Sequence, residues 1–142
     1  GSHAMGDTRA SIENLPGSHF ADLLSGSHSS NILEGRAGAD SFNGNGGIDI
    51  LSYASSGSFV NVSLQSGFAG GGAGSHAIGD TFISIEDIMG SNYDDLLNGD
   101  HGDNLIQGQG GDDNLRGRGG ADDLRGESKV VLGQMGLALL QQ

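Results

Sequence analysis

The sequence contains no cysteine, no tryptophan and only one proline among its 142 residues. Without cysteine it can form neither disulfide bonds nor thiolate metal sites. Basic residues are scarce as well, since six Lys and Arg face 18 Asp and Glu and leave a formal net charge of −12. That balance argues against nucleic acid or an anionic membrane as a partner, and no apolar run approaches the length of a membrane span. A small domain without disulfides needs another source of stability, and a bound metal is a common one.

Aromatic residues make up only 5% of the chain, whereas glycine supplies 28 residues. So much glycine with so little proline predicts many tight turns rather than a collagen-like or proline-rich coil. Composition alone would indicate disorder, because little apolar surface is available to offset the chain entropy. The apolar residues are regularly spaced, however, which predicts a chain that folds once its negative charge is neutralised.

A repeat of nine residues occurs in eight units. Each unit begins with glycine, carries Asp or Asn at its sixth position and has a large apolar residue at its eighth. Five units have glycine at the fourth position too, which permits the positive φ of a tight loop: Gly38, Gly47, Gly102, Gly111 and Gly120. A fixed period with one polar and one hydrophobic column predicts a stacked solenoid. The units begin at Gly17, Gly26, Gly35, Gly44, Gly90, Gly99, Gly108 and Gly117, and their eighth residues are Leu24, Leu33, Phe42, Leu51, Leu97, Ile106, Leu115 and Leu124.

The period also predicts which polar residues meet. Two units form a coil of 18 residues, so turns alternate between two edges and like turns stack at roughly 4.8 Å. Two carboxylates about 5 Å apart repel by roughly 3 kcal/mol at an effective dielectric near 20, and a divalent cation between them reverses that repulsion. Ligands that are all oxygen, on adaptable loops, favour Ca²⁺ over Mg²⁺, while Zn²⁺ prefers His or Cys. The predicted stacks are Asp22 with Asp40, Asn31 with Asp49, Asp95 with Asp113, and Asn104 with Asp122.

A longer repeat relates the two blocks at an offset of 73 residues. It carries Asp7 onto Asp80 and Glu13 onto Glu86, and two roles remain open for these residues: ligands near wide turns, or turn and capping residues. We expect the chain to be about two copies of one unit from a longer tandem array. His19, His28 and His101 occupy third positions of turns, where solvent exposure is expected rather than Zn²⁺ binding.

The domain boundaries follow the repeat. Residues 1–5 resemble a cloning remnant, and the solenoid is predicted over residues 6–126, with repeat blocks 17–52 and 90–125. The spacer 53–89 is expected to continue the coil with wider turns: residues 59–64 as a strand with Val60, Val62 and Leu64 on one face, 67–79 as a loop, and 81–85 as a second strand. Residues 127–142 fit either a terminal cap or a poorly ordered tail.

The units resemble the nonapeptide of the RTX (repeats-in-toxin, hemolysin-type) family, Gly-Gly-x-Gly-x-Asp-x-(large apolar)-x. The resemblance implies an all-β fold, a parallel β-roll or right-handed β-solenoid, with about four or more Ca²⁺ ions in its turns. It further implies that one turn supplies the carbonyls of its second and fourth positions and its sixth-position side chain. The turn 18 residues later supplies the carbonyls of its first and third positions and its sixth-position carboxylate. The second glycine of the family pattern is absent from every unit here.

Transferred to this sequence, the resemblance implies four sites. The second and fourth contain a neutral Asn31 or Asn104 and are expected to be weaker, unless Asp100 or Asp103 assists the fourth. The first site comprises Ser18, Phe20, Asp22, Gly35, Ala37 and Asp40, and the second Ser27, Ser29, Asn31, Gly44, Gly46 and Asp49. The third comprises Ser91, Tyr93, Asp95, Gly108, Gly110 and Asp113, and the fourth Asp100, Gly102, Asn104, Gly117, Gly119 and Asp122.

The resemblance also implies a function. It is that of a non-catalytic module of a secreted bacterial protein, extracellular or at the cell surface, which folds on Ca²⁺ after type I secretion. Two alternatives remain. One is an accessory module of a metalloprotease, lipase or alginate epimerase that assists folding or binds a polysaccharide or a neighbouring domain, and the other is a spacer in a large adhesin. Unprotected strands at the coil ends are expected to favour end-to-end self-association.

Overall fold

The computed structural model describes residues 13–126, which form thirteen short β-strands and no helix. Among these residues no helix could therefore cross a membrane. The predictions for residues 1–5 and 127–142, and for Asp7, lie outside the described range. The strands are β1 (Glu13–Pro16), β2 (Leu23–Ser25), β3 (Asn31–Glu34), β4 (Ser41–Asn43), β5 (Ile50–Ser52), β6 (Val60–Ser63), β7 (Phe68–Gly71), β8 (Thr81–Ile83), β9 (Asp87–Met89), β10 (Leu96–Asn98), β11 (Leu105–Gln109), β12 (Asn114–Arg116) and β13 (Asp123–Gly126).

The strands form two sheets, and successive repeat units alternate between them. The first sheet has the order β1-β3-β5-β9-β11-β13 and is parallel throughout. The second has the order β12-β10-β6-β7-β8-β4-β2. Within each repeat block a strand pairs with the strand 18 residues later, so that Leu33 lies beside Leu51 and Leu24 beside Phe42. The predicted parallel β-roll is thus confirmed for the repeat blocks.

The core lies between the sheets and consists of two stacked columns. All eight residues at the eighth repeat positions are buried, each at most 8% exposed, because alternate side chains of these short strands face the opposite sheet. In the first sheet the column continues through the spacer, where Leu51 pairs with Ile88 and Ile88 with Ile106. In the second sheet Phe42 pairs with Phe82, and Val62 with Leu97. The spacer therefore adds layers to the same core.

The spacer differs from the predicted widened coil in two respects. Strands β6 and β7 form an antiparallel hairpin inserted into the second sheet, whereas β8 and β9 stack directly on the first repeat block. The predicted loop 67–79 was wrong where it contains β7, since the β6 edge offers unpaired main-chain groups that residues 68–71 satisfy. The predicted strand 81–85 ends at Ile83, because Ser84 has a φ of 57°. The predicted strand 59–64 is observed as residues 60–63, and Val60, Val62 and Leu64 are buried as expected.

Candidate metal centre

The sixth-position side chains form a ladder along each edge of the roll. In each predicted stack the main-chain N–H of the first residue donates a hydrogen bond to Oδ1 of the residue 18 positions later. The structure thus brings together all four predicted pairs. The donor–acceptor distances are 2.8 Å for Asp22 to Asp40, 2.8 Å for Asn31 to Asp49, 2.9 Å for Asp95 to Asp113 and 2.9 Å for Asn104 to Asp122.

The turns are of two kinds. We call 17–22, 26–31, 90–95 and 99–104 the earlier turns, and 35–40, 44–49, 108–113 and 117–122 the later turns. In the earlier turns the second-position N–H donates to the sixth-position side chain of the same turn, at 2.6 Å from Ser18 to Asp22 and 2.7 Å from Ser91 to Asp95. In the later turns the second residue has a positive φ and makes no such bond. These residues are Arg36 (71°), Asn45 (66°), Gln109 (67°) and Arg118 (71°).

Because the second-position N–H of a later turn does not donate to the sixth-position side chain, an oxygen of that carboxylate is left without a partner. Asp40, Asp49 and Asp113 are each at most 1% exposed, and the Oδ2 atom of each has no hydrogen-bond partner. A buried polar atom without a partner is costly. A cation that bound these oxygens would remove that cost.

The positive φ at the second position has a direct consequence for stability. The family pattern has glycine there, whereas this chain has Arg36 in a left-handed conformation that costs an L-residue about 1–2 kcal/mol. We expect Arg36→Gly to unfold at higher urea than Arg36→Ala in saturating Ca²⁺, with a free energy of unfolding about 1 kcal/mol greater. The alanine variant is the control, because it also removes the side chain but keeps the strain. Equal stability of the two variants would contradict the expectation.

Main-chain oxygens lie between the stacked turns. A Cβ atom on Gly17 would lie 2.6 Å from the carbonyl oxygen of Gly35 and 2.8 Å from Asp22 Oδ2, so the two oxygens converge over the first-position glycine. The carbonyls of Gly44, Gly108 and Gly117 approach the matching glycines of the earlier turns in the same way. Fourth-position carbonyls also face the next turn, since a Cβ on Gly38 would lie 2.7 Å from Phe20 O.

The other predicted ligands lie in the same turns. The fourth-position carbonyls of Ser29, Tyr93 and Gly102 approach the fourth residue of the later turn, as that of Phe20 does. Third positions stack as well, with Gly46 over His28 and Gly119 over His101. The turn histidines His19, His28 and His101 are exposed, as expected. The remaining predicted carbonyl ligands belong to these stacked turns: Ser18, Ser27, Ser91, Asp100, Ala37 and Gly110.

Burial controls the ionisation of the ladder. It raises the pKa of Asp113 to about 7 and that of Asp49 to about 6, and it also raises the pKa of Asp40. Asp22 is the opposite case, since the Ser18 main-chain and hydroxyl hydrogen bonds lower its pKa. The later-turn carboxylates therefore carry charges that the metal-free fold disfavours at neutral pH.

A pH dependence follows from these shifts. Between pH 4 and 7 the folded metal-free chain retains protons that the unfolded chain has released, so its free energy of unfolding falls as pH rises through that window. We expect metal-free protein, stripped on a chelating resin, to be mostly coil at pH 8 and to show a stronger β signal at pH 5. Ca²⁺ competes with the same protons, so its apparent affinity should fall at pH 5. Circular dichroism measures both, and a metal-free β signal that falls on acidification would contradict the raised pKa values of Asp49 and Asp113.

The donor set fits calcium. Residues 13–126 contain no cluster of three or more His, Cys, Asp or Glu side chains able to hold a metal. An ion would therefore rely on two stacked side chains together with main-chain carbonyls. Hard oxygen donors on loops of adjustable geometry suit Ca²⁺, and the absence of His or Cys at these stacks disfavours Zn²⁺.

Comparison with protein families agrees with this chemistry. The family model of the RTX calcium-binding nonapeptide repeat matches residues 17–51 and 89–124 in four copies, half of the chain. The chain belongs to the RTX calcium-binding repeat family. It is thus a Ca²⁺-binding β-roll module of the RTX type, and the predicted family and fold class are confirmed. The individual ligands and the number of ions remain predictions. No curated protein matches the chain.

The sequence did not determine the roles of three residues in or beside the RTX ladder. Asp80 accepts the N–H of Asp40 at 2.8 Å, and Glu86 accepts the N–H of Asp49 at 2.9 Å. The recurrence at 73 residues singled out both residues but did not decide their role. Tyr53 gave no sequence signal, yet it is buried and donates its hydroxyl to Asp80 Oδ2 at 2.8 Å.

Asp100 and Asp103 differ in what they contact. Asp100 Oδ1 accepts from Asn104 Nδ2 at 3.2 Å, which places it beside the fourth predicted site. Asp103 Oδ1 instead accepts the N–H of Ala121 at 2.8 Å. Of the two residues proposed to assist the fourth site, Asp100 is therefore the one in contact with Asn104.

Proposed function

We propose that this RTX module is non-catalytic, belongs to a secreted bacterial protein and folds on binding Ca²⁺ outside the cell after type I secretion. The observation that carries the proposal is the set of buried, unpartnered oxygens on Asp40, Asp49 and Asp113. None of these carboxylates forms an ion pair with a basic side chain of residues 13–126. A cation would supply the positive charge that the ladder lacks. The proposed non-catalytic role rests on a different observation, namely that the polar residues of the chain occupy repeat positions.

The energetic scale supports folding on binding. A site with free Ca²⁺ at 100 times its Kd stabilises the folded state by about 2.7 kcal/mol. Four such sites would contribute roughly 11 kcal/mol, which is comparable to the whole stability of a small domain. In the absence of the ion, the formal net charge of −12 opposes a compact state. Low Ca²⁺ inside a cell would keep the chain unfolded and ready to pass a secretion channel.

Far-UV circular dichroism tests the proposal. Metal-free protein is titrated with Ca²⁺, and a parallel titration with Mg²⁺ is the control for divalent charge alone. We expect a transition from coil to β structure with Ca²⁺ and none at equal Mg²⁺, because Mg²⁺ demands octahedral geometry and releases its waters reluctantly. A spectrum that is already β-rich in chelator and does not respond to Ca²⁺ would reject folding on binding.

A second candidate is a spacer in a tandem array of a large adhesin. Strand β5 pairs directly with β9, so the first sheet runs without interruption from one repeat block into the next. A fold that joins successive copies in this way suits an extended rod. Small-angle scattering in Ca²⁺ on a chain that carries this whole module twice in tandem should show about twice the length of one module. Two modules that tumble independently would argue against the spacer role.

A further inference from the structure

A short spacer segment, residues 84–86, takes the place of a repeat turn. Gly44 N–H donates to Ile83 O at 3.1 Å, as Gly26 N–H donates to Asn43 O at 2.8 Å. Ile83 thus occupies the ninth position of a unit and Ser84 the first position of the next. Glu86 accepts the N–H of Asp49, as sixth-position residues do. Three residues therefore replace the six of a repeat turn, and the longer side chain of glutamate offsets the shorter main chain.

Gly44, the first-position glycine of the turn beside residues 84–86, faces the same two kinds of oxygen as the first-position glycines of the predicted sites. At Gly26, the Asn31 side-chain oxygen and the carbonyl of Gly44 both crowd the position of a Cβ atom. At Gly44, the corresponding atoms are Asp49 Oδ2 and the carbonyl oxygen of Ser84. The spacer thus presents a side-chain oxygen and a carbonyl oxygen from two adjacent layers, as each predicted site does, and here the side chain is a carboxylate.

The Asp49 side chain provides an independent observation. It is 0% exposed, and its Oδ1 accepts the Asn31 N–H. Its Oδ2 has no hydrogen-bond partner. This Oδ2 lies over Gly44, close to the carbonyl oxygen of Ser84. We propose that Asp49, Glu86 and the Ser84 carbonyl form a further Ca²⁺ site between turn 44–49 and residues 84–86. The proposal rests on the calcium binding of the RTX repeats, and the family match leaves residues 84–86 uncovered.

The second ladder residue of the spacer gives a contrast. Asp80 continues the other edge, but both of its oxygens are occupied, one by the Asp40 N–H and the other by the Tyr53 hydroxyl. The atoms nearest to a Cβ on Gly35 belong to the Asp40 and Phe42 side chains, with no carbonyl of the next layer among them. Tyr53 therefore satisfies Asp80 directly, and the proposed ion site is specific to Glu86.

Counting bound ions tests the site. Native mass spectrometry of the full chain at saturating Ca²⁺ should find one ion fewer in Glu86→Gln than in the wild type. The amide oxygen of glutamine can still accept the Asp49 N–H, so the fold should persist, and circular dichroism of the same sample checks this. Glu34→Gln is the matched control, because Glu34 lies in the first sheet outside the ladder and accepts a hydrogen bond from Ser55. It should bind as many ions as the wild type.

A second variant separates the ligand role from the loss of charge. Glu86→Asp keeps the carboxylate but shortens it by one methylene, so it should also bind one ion fewer at Ca²⁺ concentrations that saturate the wild type. The proposal would be overturned if both Glu86 variants bound as many ions as the wild type with unchanged affinity. Glu86 would then serve only as the hydrogen-bond acceptor of the Asp49 N–H. A wild-type chain that is β-rich in chelator would instead reject folding on binding, and the ion counts would still decide the spacer site.

Discussion

Asp113→Asn is expected to change stability in opposite directions with and without Ca²⁺. The Asp113 side chain is 1% exposed, and burial raises its pKa to about 7. Without metal, asparagine removes a disfavoured buried charge and keeps an acceptor for the Asp95 N–H, so the β signal in chelator should increase. In saturating Ca²⁺ the variant lacks one charged ligand and should lose about 2–3 kcal/mol, the contribution of a site at 100 times its Kd.

The matched control is the residue directly before it. Asp112→Asn removes the same charge from an exposed side chain in the same turn. It should therefore reproduce any effect of net charge without the effect of ligation. Urea unfolding measures the stability of each variant in Ca²⁺, and circular dichroism measures its β signal in chelator. Equal behaviour of the two variants in Ca²⁺ would contradict a ligand role for Asp113.

Gly111→Ala should be among the most damaging single substitutions in the roll. Gly111 has a φ of 94°, and a Cβ atom there would lie 2.6 Å from the main-chain carbonyl carbon and oxygen of Tyr93. The clash is with backbone, which cannot rotate away as a side chain can. Strain at a positive φ alone costs about 1–3 kcal/mol, and separation of the stacked turns would weaken Ca²⁺ binding as well. We expect a loss of at least about 2 kcal/mol in saturating Ca²⁺.

Gly102→Ala is the comparison at the same repeat position. Of the five fourth-position glycines expected to permit positive φ, Gly102 alone lacks it, because it belongs to an earlier turn. A Cβ atom there would meet only Asp100 Oδ1, at 3.4 Å. Urea unfolding in Ca²⁺ should leave Gly102→Ala close to the wild type. If both alanine variants unfold alike, the earlier and later turns do not differ in the strain that a side chain causes at the fourth position.

The repeat made much of the fold predictable. Contacts between positions 18 residues apart follow from the period alone, so the stacks of Asp22 with Asp40 and Asp95 with Asp113 could be specified in advance. The buried column of eighth positions followed from the same period, because every second side chain of a short strand faces the core. The oxygen-only donors indicated Ca²⁺, and the RTX pattern then added the ligand set.

The spacer contacts were less predictable because they have no fixed offset. Asp40 meets Asp80 across 40 residues, Asp49 meets Glu86 across 37, and Val60 meets Asp95 across 35. Such separations depend on how the β6–β7 hairpin is accommodated, which no local pattern encodes. The glycines of 67–79 indicated a loop, but residues 68–71 pair with the open edge of β6 and so join the sheet.

The sequence by itself determined the coil length, the two columns and the oxygen-rich edges, because each is a property of position within a nine-residue period. Only the tertiary structure decided which turns leave a carboxylate oxygen free. The second-position residues Arg36, Asn45, Gln109 and Arg118 adopt positive φ only in turns that stack on an earlier turn. It also decided that Tyr53 satisfies Asp80 while Asp49 keeps a free oxygen near Glu86, since stacking between distant layers fixes which polar groups meet.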